Sequence, residues 1–518
     1  MSRDLLDIVG QIDEQYIEEA SGRVLQEKKR PRWLAAAAVI ALVLAAGAGG
    51  WMLRLALQRT KGPGTQNPVQ AGTEAPHTVY DDPEQTNFNR LDIDFAAAAA
   101  AANDENFAAA CQYAQGQEPS AKNDMTGLFA GKNLILITAQ NFSPYVIDPV
   151  RTPTLYRLAK QGIEFTDYYQ PDWEGAATSG EFAILTGLIP VHGVGSLLDT
   201  VGKAMPYTLG NQLRSQGYFS RAYTDDHSFD YLHRNETHPN LGYEELLGVG
   251  NGLDLVLTKQ WPYSDRELMR VAVDQCVDMQ PFSIYLMMCS GMGAYNRAGN
   301  AMAAKHWAEV EDLPYSDTVK AYLAANMEVE DALRDLVAAL EKAGIAENTV
   351  IVLTSSQYPY ALEKNEDYGN AEDYLAELCG EPVESCFRRD RSTLIIWSGC
   401  LEGKGYRVTS PTSSLDIVPT LSNLFGMEFD SRLLPGRDVF AAVPEDAPLV
   451  QWPDGSWIAA WGRYDASTHI FTQTAAQSEA PQDYADSVRK AAEERRRYCE
   501  NLLNTDFYAL LLPFCNEK

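Results

Sequence analysis

The chain is short of positive charge and of histidine. Its 518 residues carry 42 Lys and Arg against 71 Asp and Glu, for a formal net charge of -29, and only 7 His. A surface this acidic repels nucleic acid and anionic lipid unless a local basic patch intervenes. Basic residues cluster only at Lys28 to Arg32 and at Arg495 to Arg497, so no nucleic-acid partner is expected. There is no C-x-x-C among the 8 cysteines, which argues against a zinc knuckle. No unit of twenty to fifty residues recurs, which excludes a solenoid or propeller. Long uncharged apolar runs are absent with one exception.

That exception is Trp33 to Leu53, "WLAAAAVIALVLAAGAGGWML". It matches the ~20 residues a helix needs to cross a bilayer. Trp33 and Trp51 stand near its ends, and Lys28, Lys29, Arg30 and Arg32 precede it. These features predict a single-pass transmembrane helix over 33–53, with a cytoplasmic N-terminal segment 1–32 and the main domain outside the cell membrane. The Pro- and Gly-rich stretch 54–90 reads as a linker, 91–130 as a helical lead-in, 131–475 as the main domain and 476–518 as a helical C-terminal segment. The cysteines suit an exported domain. Cys379 with Cys386, or Cys499 with Cys515, are candidate disulfides, and buried free thiols such as Cys276 and Cys289 are the alternative.

Within the main domain, strands and helices alternate. "NLILITA" (Asn133 to Ala139), "FSIYLMMCS" (Phe282 to Ser290) and "TVIVLTSS" read as buried strands. Pro153 opens one helix and Gly162 stops it. Val329, Leu333, Leu336 and Leu340 stripe a long helix over about 317–343, with Gly344 as its cap. The pattern predicts an α/β fold: a mostly parallel central sheet covered by helices on both faces.

In such sheets ligands gather beyond the carboxyl ends of the strands. The strand at Val350 to Leu353 runs into Ser355-Ser356-Gln357, which offers neither carboxylate nor imidazole. "KNLILITAQNF", "TPTLYRLAKQGIEFTDYYQPDW", "TSGEFAILTGLIP", "VGNGLDL", "TVIVLTSSQYPY" and "SSLDIVPTLSNLFG" together resemble the lipoteichoic acid synthase-like (phosphoglycerol transferase) branch of the sulfatase/alkaline phosphatase superfamily. The resemblance runs over about 125–465. It implies an extracytoplasmic Mn²⁺-dependent transferase that moves glycerophosphate from phosphatidylglycerol through a phospho-threonine intermediate. The family carries several membrane helices, whereas this sequence shows one.

Position by position, the resemblance exposes losses. The metal-binding Glu falls on Gln140, the nucleophilic Thr on Ala177, and the Asp-His ligand pair on Ser356-Gln357. Thr178 sits one place late, either as a displaced nucleophile or as the cap of the box Thr178-x-x-Glu181. A substrate-side His falls on Met292 and another near Asp225, while Arg234 matches a substrate-side Arg. Trp173, Tyr168 and Tyr169 suit either a stacking platform or packing at the cleft mouth. "TDDHSFDYLHR" reads as a solvated loop rather than a metal cluster. Arg388, Arg389 and Arg391 read as a loop balancing nearby Glu. A hard divalent cation needs anionic oxygen or imidazole, so no metal cofactor is expected. The leading expectation is a pseudoenzyme of the cell envelope that binds a wall polymer, a lipid headgroup or an active envelope enzyme. The alternatives are an active phosphoglycerol transferase or phosphate/sulfate ester hydrolase using Thr178 with Asp225 or Asp226, and a transmembrane signalling protein.

Overall fold

The computed structural model describes residues 87–516, apart from 175, 228–232, 365–369, 371 and 475–478. The expected span 33–53 and cytoplasmic segment lie outside the described residues. Among the described residues no helix is long and apolar enough to cross a membrane.

An eight-stranded sheet carries the fold. In chain order its strands are β1 (Asn133–Ala139), β2 (Ile163–Phe165), β4 (Phe219–Thr224), β5 (Leu246–Leu247), β6 (Phe282–Met288), β7 (Thr349–Ser355), β9 (Leu394–Trp397) and β10 (Arg407–Val408). In space the order is β10-β2-β9-β7-β1-β6-β4-β5. Only β9 runs against its neighbours. A small second sheet holds β3 (Tyr168–Tyr169), β8 (Arg391–Ser392) and β11 (Thr412–Ser413).

The central strands alternate sides residue by residue. Leu134, Leu136, Tyr285, Met287, Val350 and Val352 enter one apolar cluster, whereas Ile135, Ile137, Ile284, Leu286, Ile351 and Leu353 enter the other. Side chains on a strand point to opposite faces in turn, so an unbroken apolar run is what a sheet buried on both faces requires. Among the covering helices are α1 (Phe95–Ala101), α2 (Glu105–Gln115), α3 (Pro153–Gln161), α4 (Ala176–Thr186), α5 (Leu209–Ser215), α6 (Arg234–Asn240), α7 (Asp265–Cys276), α8 (Asp317–Ala343), α9 (Ile417–Leu424) and α10 (Tyr484–Leu503). Helix α8 has the expected bounds: Ser316 caps its start by accepting from Val319 N, and Gly344 closes it at φ 71°.

The lead-in holds two helices, because Asp104 accepts from Asn106 N and Phe107 N and starts a second helix after Ala101. A four-stranded antiparallel meander, β12 (Pro448–Gln451), β13 (Trp457–Ala459), β14 (Gly462–Asp465) and β15 (Ile470–Gln473), precedes α10. Tyr498 of α10 stacks on Tyr113 of α2 at 4.6 Å, and Ile93 bridges Cys515. The two ends of the described chain thus close on each other within the compact unit Tyr80–Lys518. All eight cysteines are free thiols, so neither candidate disulfide is formed.

Candidate functional site

The parallel register brings the exits of β7, β1, β6 and β4 side by side. These exits carry Ser356-Gln357, Gln140-Asn141, Cys289-Ser290 and Asp225. Two glycines let the segments close up. A Cβ on Gly180 of α4 would lie 1.7 Å from Ser356 O, and one on Gly291 would lie 2.5 Å from Gln140 O. Backbone therefore packs on backbone, and α4 begins against the exit of β7.

Amides fill the space between the exits. Gln357 Nε2 donates to Asn141 Oδ1 at 2.6 Å. Asn141 Nδ2 donates to Gly291 O at 3.3 Å and to Tyr295 Oη at 3.0 Å. Gln140 Nε2 donates to Cys289 Sγ at 3.4 Å. Burial pushes the Cys289 thiol up, with the Asp225 charge adding to it, so it stays neutral. Ser355 Oγ donates to the Gln357 carbonyl at 2.6 Å, which turns the chain after β7. Ser356 is buried and its Oγ has no partner among the described residues. Asn141 was not singled out by the sequence. Its φ of 58° is a conformation that Asn tolerates better than most residues.

Ala177 is half-buried against the apolar cluster, as is Met292. Thr178 is 7% exposed and lies inside the first turn of α4, which starts at Ala176. The capping box does not form. The Glu181 carboxylate instead accepts from Arg234 Nη2 at 2.8 Å, from Tyr285 Oη at 3.0 Å and meets His238 Nε2 at 3.2 Å. Burial works against the charge on Glu181, yet Arg234 and His238 hold its carboxyl down at about 2. No imidazole or carboxylate is hydrogen-bonded to the Thr178 hydroxyl among the described residues, so it lacks the adjacent base that activates a nucleophile.

Four residues expected at a substrate face are closed. Arg234 is 1% exposed and committed to Glu181. Trp173 is buried in the apolar cluster, as a packing residue. Tyr168 accepts from Thr354 Oγ1, and Tyr169 donates to Asp167. Asp225 leaves the solvated loop that its neighbours suggested. It is buried, and its Oδ1 shares the Cys289 N–H with Asp265 Oδ1, both at 3.0 Å. Burial and the facing Asp265 push the Asp225 carboxyl well up, and burial pushes Asp265 to about 6. The two carboxyls hydrogen-bond to each other, with the proton on Asp225, the carboxyl pushed up further. His227 and His233 are exposed, and Asp230 lies outside the described residues. Asp254 accepts from Gly250 N, in keeping with a turn at 251–254. Arg388, Arg389 and Arg391 pair with Glu381, Asp390 and Asp167. Arg389 also lines a cavity of about 460 Å³ with Asp172, Glu363, Asp373 and Trp452, an acidic lining that disfavours a bare anion.

The positions that the resemblance gives to the metal ligands and nucleophile, Gln140, Ala177, Ser356 and Gln357, thus present two amides, a hydroxyl and a methyl, with no net charge. That donor set does not fit Mn²⁺, which needs anionic oxygens to offset its desolvation. Elsewhere, His306, Glu328 and Asp331 lie within 4.8 Å of one another. Their charge is already balanced: Glu328 binds Lys305 and His306 at 2.6 Å each, and Asp331 binds Arg334 at 2.6 Å and Arg266 at 3.2 Å. This is an ion-pair network.

The sulfatase family model matches residues 132–427, more than half of the chain. The chain belongs to the sulfatase family. Its relatives place it on the lipoteichoic acid synthase branch of the sulfatase/alkaline phosphatase superfamily. Lipoteichoic acid synthase-like YvgJ of Bacillus subtilis is 21% identical over 420 residues, covering 79% of this chain and 65% of the relative. Lipoteichoic acid synthase of Staphylococcus saprophyticus is 20% identical over 428 residues, covering 79% and 62%. The chain thus spans less than two thirds of the length of these relatives. Among solved structures, the lipoteichoic acid synthase LtaP from Listeria monocytogenes superposes with a TM-score of 0.59 at 16% identity, over 76% of this chain and 98% of that one. A protein of the alkaline phosphatase superfamily from Vibrio parahaemolyticus gives 0.53 at 14% identity, over 80% and 97%. These likenesses support the α/β sulfatase-like fold.

Proposed function

We propose that this sulfatase-family protein has given up turnover and acts by binding at the outer face of the cell membrane, to which residues 33–53 tether it. One observation carries the reading: the converging strand exits are knitted together by the Gln140, Asn141 and Gln357 amides where a phosphoryl-transfer site of this family needs charged metal ligands. Without a cation there is no clamp for phosphoryl charge and nothing to lower the pKa of a threonine hydroxyl. The unassisted Thr178 hydroxyl points the same way. The retained sheet then serves as the scaffold of a surface that recognises a wall polymer, a lipid headgroup or an active envelope enzyme.

Two experiments test the reading. With phosphatidylglycerol vesicles and Mn²⁺, the purified protein is expected to release no diacylglycerol above a protein-free control. Release that depends on Thr178 would overturn it in favour of an active transferase. Second, Gln140→Glu, Ala177→Thr, Ser356→Asp and Gln357→His made together are expected to confer Mn²⁺ binding on a chain that lacks it. A folded quadruple variant that binds no Mn²⁺ would show that the pocket has drifted beyond its ligands. Fractionation of the full chain, compared with a chain lacking 33–53, checks the tether.

A further inference from the structure

The connection from β5 to α7, residues 248–264, leaves the sheet at the same end as the amide-filled site, because β5 runs parallel to β4, and β4 to β6 and β1. It returns to that site at its far end, where Tyr263 O accepts from Ser290 Oγ at 3.1 Å. In its middle is a turn closed by Val256 N and Leu257 N, both donating to Leu253 O. Leu253 and Leu257 are buried in the apolar cluster. Pinned between them, Leu255 is 100% exposed and Val256 55% exposed, and Trp261 further along is 41% exposed. The polar groups around them are satisfied locally. Asp254 accepts from Gly250 N, and Thr258 N and Oγ1 both donate to Glu267. The turn thus holds apolar side chains outward on a built frame, and it does so at full cost in water.

We propose that the Leu255-Val256 turn, with Trp261, is an apolar tip that inserts into the interfacial layer of a lipid bilayer and seats the site end of the domain against it. The proposal rests on the membrane tether of the reading above. The expected linker 54–90 joins the expected span 33–53 to the domain, so on that reading a bilayer is the standing neighbour of this domain. The chemistry of the tip fits that neighbour. Leucine and valine enter the acyl boundary, tryptophan favours the headgroup level, and Lys259, exposed on the same connection, extends its ammonium toward phosphate. The chain's net charge of -29 opposes a strongly anionic surface, so a zwitterionic one is expected.

The test is flotation of residues 80–518, which comprise the compact unit Tyr80–Lys518 and omit the expected span, with phosphatidylcholine vesicles. The wild-type fragment is expected to float. Leu255→Asp with Val256→Asp is expected to cut the floated fraction at least tenfold with an unchanged thermal midpoint. Leu512→Asp, at another exposed leucine (70%), is expected to float as wild type. A wild-type fragment that stays with the load, or a tip variant that floats equally well, overturns the proposal. So does a tip variant that dissociates a dimer in vesicle-free solution, since the surface then belongs between two copies. If the double variant unfolds, Leu255→Gln carries the same test, because a wholly exposed side chain packs on nothing. Flotation of a fragment without 33–53 reports on the tip alone. Loss of the full chain from membranes on deleting 33–53 reports on the tether, and the diacylglycerol assay reports on silence.

Discussion

Arg234 and Glu181 face each other with neither side chain open to solvent, so each is held charged by the other. Removing one partner of such a pair leaves a buried uncompensated charge, at a cost of about 3–5 kcal/mol. Arg234→Met is therefore expected to lower unfolding free energy by that amount in urea, and a loss below about 1 kcal/mol would contradict the closed reading of this arginine. The Asp225–Asp265 pair has the opposite sign. Its carboxyls are raised by burial, so the folded chain holds protons that the unfolded chain has released. The stability they contribute is full below about pH 4, falls as pH rises through about 6, and is lost at higher pH as Asp225 deprotonates. His306 adds to this trend. Burial opposes its charge, but Glu328 and Glu309 raise it, and that stability also fades with rising pH. Asp225→Asn removes one titrating carboxyl while keeping a donor toward Asp265. It is expected to add about 1–2 kcal/mol at pH 8 and to flatten the dependence of thermal midpoint on pH between 5 and 8. A variant less stable than wild type at pH 8 would contradict a proton on Asp225. None of this was legible in "TDDH", which reads as a wet turn. Asp225 is buried by register, because β4 pairs Thr224 with Met287 of β6 and so sets the next residue beside Cys289.

Among the elements, those with one strong local signal were legible and those built from weak ones were not. The strand Asn133–Ala139 and the helix Asp317–Ala343 announce themselves by an unbroken apolar run and by a stripe with both caps. The meander β12 to β15 is made of strands three and four residues long, too short for alternation to show. In the lead-in, alanine runs mask a break between two helices that only the cap Asp104 marks. Helix α4 was placed correctly, but its start was not. Its first turn is set by contact with the exit of β7, a long-range fact that the Thr-x-x-Glu pattern does not contain. That contact gives a direct prediction. Gly180→Ala puts a methyl 1.7 Å from Ser356 O, backbone that has nowhere to go. The variant is expected to lose about 1–3 kcal/mol or more and to increase hydrogen exchange at both 176–180 and 355–358. A change confined to the helix would mean that the two segments are not seated on each other.

At the scale of the whole molecule, the sheet, its crossovers and its family were readable because many motifs fall in order along one chain. The state of the site was readable only as a set of substitutions. What the structure adds is that Gln357 bonds to Asn141 and Gln140 bonds to Cys289, so neutral side chains satisfy one another where the resemblance places charged ligands. The measurement that tests this most directly is a calorimetric titration of residues 80–518 with Mn²⁺, with the metal content of the purified protein determined alongside. The account predicts no stoichiometric heat and no co-purified metal. Tight one-to-one binding, abolished by Gln357→Ala, would place a working metal centre where the amides now stand and would contradict it.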